Sequence, residues 1–177
     1  MINREPDIAQ RSADRPTSGE ATRRTLPGAL RYPPQPVPDP DTRAFWEATA
    51  DGRLAVCRCQ SCGKWMHPPL ERCRECGGTT AFEYVTGSGV VYSFIVQRQP
   101  LVAGYVDQTP YVVALVELDE QPGLRLPTRI VGVDPPDVTC GMRVEAEFVD
   151  LPGGDFKVPV FRPAAARHAL TTLRPDQ

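Results

Sequence analysis

Lysine is almost missing from this 177-residue chain, which has only Lys64 and Lys157, and histidine is as scarce, with only His67 and His168. The formal net charge is −2. Such a chain lacks the broad positive footprint with which proteins hold nucleic acid, and only a local arginine patch could serve instead. No apolar run approaches the ~20 residues of a membrane-spanning helix, and the first residues carry no apolar signal core. The expected location is therefore the cytoplasm, without membrane attachment. No Gly-rich phosphate loop of the P-loop or dinucleotide type occurs. Nucleophile–base arrangements are lacking too: Cys140, the one cysteine away from the motif described next, has no evident activator nearby. The acid pairs Glu145/Glu147 and Asp119/Glu120 fall on an outward strand face and at a turn, where solvated charge is the ordinary reading.

The chemistry that is present lies in Cys59-Gln-Ser-Cys62-Gly63 and Cys73-Arg-Glu-Cys76-Gly77, with ten residues separating Cys62 from Cys73. Each Cys-x-x-Cys-Gly forms a knuckle. Its glycine takes backbone angles that a side chain resists, and amide N–H groups are turned toward the thiolates. Two knuckles supply four sulfurs in a tetrahedron, which suits structural Zn²⁺ and leaves no position for water or substrate. Iron binds the same set, and the spacing alone does not exclude it. A disulfide pairing is the weaker alternative, given the ribbon spacing and the missing secretory signal. His67 lies between the knuckles as a lesser candidate ligand. Cys57 reads as a small apolar residue on the strand entering the first knuckle.

Around this ribbon the expected architecture is mainly β. Residues 1–38, mixed in charge and ending in a proline-rich run, read as a disordered arm. Residues 39–79 read as a helix plus the ribbon. Asp39 caps that helix, Pro40 takes its first position, and it runs to Asp51-Gly52. Phe45 and Trp46 stand ~100° apart on it, so one could pack on the chain while the other meets a partner, or both could tuck against the ribbon. Trp65 and Met66 are expected to cover the ribbon's interior. Residues 80–163 read as five strands over 82–96, 111–118, 124–133, 142–149 and 156–161, with a bulge or bend at Gly87 and Gly89. The fourth alternates cleanly, with Met142, Val144, Ala146 and Phe148 inward. Pro159 marks the last strand as an edge or as paired on one side. Five short strands between Gly/Pro turns predict a small closed barrel of the OB-fold kind, although a small sandwich has the same pattern. Residues 164–177 read as a tail.

Taken in order, these blocks resemble the DUF35 family, in which a rubredoxin-like zinc ribbon precedes an acyl-CoA-associated OB-fold. The resemblance covers about residues 41–163. It is carried by Phe45-Trp46 with Gly52-Arg-Leu54, by both knuckles, by Gly87-Ser-Gly89-Val-Val-Tyr92 and by Pro110-Tyr111 through Glu120. Ile130-Val-Gly132, Gly141-Met-Arg-Val144 and Val158-Pro-Val-Phe161-Arg-Pro163 complete it. The departures are the long N-terminal arm, Cys57, Arg129 and Cys140. The resemblance implies that Cys59, Cys62, Cys73 and Cys76 hold the metal. It also implies a non-catalytic companion of a thiolase-superfamily acyltransferase or an aldolase of steroid side-chain breakdown, with a MaoC-like hydratase as a further partner. Acyl-CoA would then be met indirectly. Phe45 and Trp46 would supply contact surface, and Arg98, Arg129 and Lys157 are candidates for CoA phosphates by charge. Two other functions remain open. A nucleic-acid module would use Tyr92, Phe94 and Tyr111 as a stacking platform, and an electron carrier would hold iron in the four-thiolate site.

Overall fold

A computed structural model describes residues 33–99, 102, 104–152 and 154–165. The arm expected over 1–38 lies outside the described residues up to position 32, as does the tail from 166 onward.

The helix α1 (Arg43–Ala50) begins three residues later than the sequence predicted. Asp39 still serves its entrance: its Oδ1 accepts from the Thr42 N–H at 2.8 Å and the Thr42 hydroxyl at 2.7 Å, forming a turn ahead of the first helical residue. Gly52, with φ +70°, ends the helix. Three strands then make the ribbon sheet, β1 (Ala55–Cys59), β2 (Trp65–Met66) and β3 (Thr80–Tyr84), in the order β2-β1-β3. The segment read as one strand over 82–96 is therefore two. Its first part pairs antiparallel with β1, Cys57 opposite Phe82, and closes the ribbon.

Gly87 (φ +75°) turns the chain into the barrel. The barrel strands are β4 (Ser88–Gln97), β5 (Tyr111–Leu118), β6 (Arg125–Ile130), β7 (Arg143–Asp150) and β8 (Lys157–Pro163), closed in the order β4-β5-β6-β8-β7. This is the five-stranded barrel of an OB-fold. The bulge sits at Tyr92, where the β4–β5 register shifts, and not at the glycines. Gly89 has a different task. A Cβ there would meet Val116 Cγ1 at 2.9 Å and the Glu117 carbonyl, so only glycine lets β4 cross β5 this closely.

Val91, Val112, Ala114, Val116, Leu126, Ile130, Val144 and Phe161 fill the barrel, and Leu54 and Val56 from the ribbon side belong to the same cluster. Met142, Ala146 and Phe148 pack against it as expected. Trp65 does too, so it faces the barrel instead of capping a separate ribbon interior. Two hydrogen bonds fix this junction: Gln121 Oε1 accepts from the Trp65 N–H at 3.0 Å, and Gln121 Nε2 donates to the Trp65 carbonyl at 3.2 Å.

The barrel has one weak seam. β7 and β8 pair along their length, but β6 and β8 share one register pair, Ile130 with Phe161. Pro159 thus sits on a strand that is fully paired on one side only.

Candidate metal centre and apolar groove

β1 delivers Cys59 to the first knuckle. The Gly63 N–H bonds the Cys59 carbonyl at 3.0 Å, and in the second knuckle the Gly77 N–H bonds the Cys73 carbonyl at 2.9 Å. Both glycines have φ above +70°, a conformation that strains any residue with a Cβ. Backbone N–H groups then point at sulfur. Ser61 and Cys62 donate to Cys59 Sγ and Glu75 to Cys73 Sγ, each at 3.4 Å. Gly78 allows the knuckles to meet, since a Cβ there would stand 2.8 Å from Ser61 Cβ and 3.2 Å from Cys59 Sγ.

The four sulfurs all lie within 4.8 Å of one another, with Cys59 to Cys76 at 3.5 Å and Cys62 to Cys73 at 3.7 Å. Sulfurs bound tetrahedrally at the ~2.3 Å of a zinc–thiolate bond stand ~3.8 Å apart, so the set fits a metal ion without rearrangement. The Cys62 N–H, followed by the other donors, lowers the Cys59 thiol to about 6 against burial, which favours the thiolate a metal needs. The Lys64 N–H favours the Cys62 thiolate as well, but the neighbouring sulfurs and burial outweigh it and push that thiol up to about 12. His67 stands outside the cluster, and burial holds its pKa below the ordinary histidine value. Cys57 is buried on β1 with its thiol directed to the Leu70 carbonyl, while Cys140 is exposed in a loop.

A second feature was not read from the sequence. An apolar groove of about 400 Å³ runs along the β6–β8 seam, lined by Phe45, Trp46, His67, Pro127, Arg129 and Val158 among others. Phe45 and Trp46 therefore share one groove: their rings meet edge to face at 4.9 Å, and Phe156 lies 6.4 Å from Trp46. The ~100° that separates them on the helix does not keep them apart, because both rings line the same groove. Arg129 stands beside a packed pair of rings, 4.9 Å from Tyr105 and 5.0 Å from Tyr111, which lie 5.5 Å from each other, with Nη1 donating to Gln108 at 2.9 Å. Its tyrosine partners come from the 97–110 loop and the start of β5, a closure that local sequence does not reveal. Arg98 and Lys157 do not line this groove, so the three cations proposed for CoA phosphates are not gathered in it. The three rings named for a stacking platform have different surroundings. Phe94 packs toward the core, Tyr92 is 48% exposed with Arg125 over one face at 3.3 Å, and Tyr111 lies beside Arg129.

A four-thiolate ribbon joined through a shared core to a closed five-stranded barrel defines a rubredoxin-like zinc ribbon with an OB-fold. Family models of the ChsH2 rubredoxin-like zinc ribbon domain and the ChsH2 C-terminal OB-fold domain match residues 46–83 and 83–149. The chain belongs to the DUF35 family, and its cysteine cluster is that family's structural zinc site in kind. It is 39% identical over 154 residues to a probable enoyl-CoA hydratase alpha subunit of Thermomonospora curvata, which covers 85% of this chain and 45% of that protein. The 3-oxo-4,17-pregnadiene-20-carboxyl-CoA hydratase alpha subunit of Mycobacterium tuberculosis is 35% identical over 120 residues, covering 67% and 37%. The chain thus spans less than half the length of these two relatives. A DUF35 domain-containing scaffold protein of Methanocaldococcus jannaschii is 40% identical over 94 residues, covering 51% and 64%. Among solved structures, a chain of an Ltp2-ChsH2(DUF35) aldolase superposes with a TM-score of 0.67 at 37% identity, covering 73% of this chain and 99% of the other. Among the described residues no helix is long and apolar enough to cross a membrane.

Proposed function

We propose that this chain is a non-catalytic subunit of an acyl-CoA-processing complex, supporting a thiolase-superfamily acyltransferase or aldolase that carries the chemistry. The observation that carries this reading is its 37% identity over nearly all of a DUF35 chain taken from an aldolase. The scaffold name of the Methanocaldococcus relative points the same way. The hydratase names add a MaoC-like hydratase as a second candidate partner, and the pregnadiene-carboxyl-CoA name favours a steroid acyl-CoA as the substrate of the complex. In this reading Cys59, Cys62, Cys73 and Cys76 ligate a structural Zn²⁺ that orders the ribbon, and the ion takes no part in bond making. Phe45, Trp46 and Arg129 contribute contact surface. Arg98 and Lys157 would act from positions outside the groove. The cytoplasm is the setting, since it keeps free thiols reduced.

The test is a tagged copy recovered from its native host with its bound proteins. The expected result is an acyl-CoA enzyme subunit in fixed ratio, no turnover by the purified chain alone, and reduced partner activity in its absence. Turnover by the isolated chain, or retention of nucleic acid with no enzyme, overturns the reading. In the latter case binding should fall steeply with added salt.

A further inference from the structure

We infer that the groove on the β6–β8 seam is the docking site for a protein segment of the enzyme partner, one that inserts an apolar side chain and presents a carboxylate to Arg129. The inference rests on the accessory-subunit reading and specifies where and how the partner binds.

The seam is open for a covalent reason. Val131 donates its N–H to the Phe161 carbonyl at 2.8 Å, which fixes the side of each strand that faces the other. By two-residue alternation, Pro127 on β6 and Pro159 on β8 present their backbone to the gap, and neither has an N–H to donate. One side-chain bond bridges it, from the Thr128 hydroxyl to the Pro159 carbonyl at 3.1 Å. The prolines keep the barrel from zipping shut here. They also remove one donor from each strand that an added strand would use, which favours side-chain insertion over strand addition at this gap.

The exposed apolar side chains beside the groove point to a protein. Val113 in the groove lies opposite Ile95 on β4, which is 61% exposed, and Pro127 lies opposite Leu115, which is 39% exposed. These exposed side chains carry the apolar lining beyond the groove onto the outer face of β4 and β5, where a ligand held in the groove alone would leave them uncovered and a protein surface would not. The groove's charge fixes the chemistry of the occupant. Arg129 holds its guanidinium beside the packed rings of Tyr105 and Tyr111, its Nε is buried without a hydrogen-bond partner, and its Nη1 bonds a neutral amide oxygen. A cation set against aromatic rings and apolar surface is the composition of an interface hot spot, and a carboxylate is its complement.

The test places a photoreactive benzoyl-phenylalanine at Pro127 in the full chain in its native host, with Glu145 on β7 as the control position. The expected product joins position 127 to an acyl-CoA enzyme subunit, at a peptide that carries an Asp or Glu. Arg129→Glu should then weaken the purified pair about 30-fold, the scale of a hot-spot residue. Arginine in place of that partner carboxylate should restore at least about tenfold in the Arg129→Glu background. Pro127→Glu, at an exposed position, should weaken binding with secondary structure and zinc content unchanged. Cross-links to a second copy of this chain, an acyl-CoA as the sole occupant, or no cross-link at 127 overturn the inference. If the wild-type chain holds an enzyme subunit but cross-links only from position 145, the docking site fails and the accessory reading stands. If it holds none, both fail.

Discussion

The ribbon and the barrel reach their folds by different means. The barrel encloses apolar side chains: Phe161, Val116 and Val144 have no exposure at all. The ribbon has almost no interior of its own. Its buried positions include Cys57, Cys59 and Cys73, while Leu54, Val56 and Trp65 turn to the barrel's cluster. Where a three-stranded sheet is too small to bury a core, four thiolates around an ion replace one. Its remaining ties are few and exposed. Arg58 pairs with Glu83 at 2.7 Å and reaches the Gly63 carbonyl, and Lys64 pairs with Glu75 at 3.0 Å. Such surface pairs contribute little.

The strongest way to break the symmetry between the two regions is to remove the metal. Binding of structural zinc is worth about 10–16 kcal/mol in isolated fingers, so the ribbon without it should not stay folded. Chelation, or Cys59→Ser, should abolish hydrogen-exchange protection across β1, β2 and β3 and leave protection in β5 and β7. Uniform loss in both regions, or retention in both, would contradict the division. A preparation that is coloured and loaded with iron would replace zinc while leaving the division intact.

The converse experiment empties the barrel. Phe161→Ala should cost about 3–5 kcal/mol, as for a fully enclosed aromatic side chain, read as a lowered denaturant midpoint. The ribbon's metal content should survive at concentrations of denaturant below the new midpoint, since its four sulfurs do not depend on Phe161.

These contrasts explain what was legible in the chain. The knuckles could be read because the ligand spacing is local, and the fourth barrel strand because Arg143, Glu145 and Glu147 alternate with Val144, Ala146 and Phe148. Pro159 announced a strand paired on one side. Pairing partners were not legible. Thr80–Tyr84 has a strand's composition, but nothing local says that it joins Ala55–Cys59 and not the barrel. Nor could the sequence show that Trp65 turns toward the barrel, or that Arg129 lies against the rings of Tyr105 and Tyr111. The groove itself arises where two prolines face each other across strands that are distant in sequence.

A smaller perturbation separates the two regions without unfolding either. Gln121 satisfies both backbone groups of Trp65 from the β5–β6 turn. Gln121→Ala leaves those part-buried groups without protein partners and should cost about 1–3 kcal/mol. The useful readout is coupling. In the wild type, metal removal should lower the barrel's thermal midpoint, and in Gln121→Ala this metal-dependent shift should shrink. An unchanged shift would mean that the shared apolar cluster alone connects the regions.

The smallest expected effect lies wholly within the barrel and serves as its control. Arg143 on β7 grips Asp119 after β5 with two bonds, 2.8 and 2.5 Å. The Arg143 hydrogen bonds hold the Asp119 carboxyl below its ordinary value; burial opposes them, and the Arg143 charge adds a smaller lowering. A depressed folded-state pKa means that the contribution is complete above the unfolded carboxyl's titration and is lost as pH falls through the folded value. Both side chains are exposed, at 55% and 42%, so solvent screening keeps the contribution of the pair small. Asp119→Asn should therefore be slightly less stable than wild type at neutral pH, and the two denaturation midpoints should converge in acid. Added salt should narrow the neutral-pH difference as well. Because neither residue touches the thiolate site, metal retention by Asp119→Asn should match wild type at every pH. A variant that lost metal along with the ion pair would show that the barrel's surface electrostatics reach the ribbon.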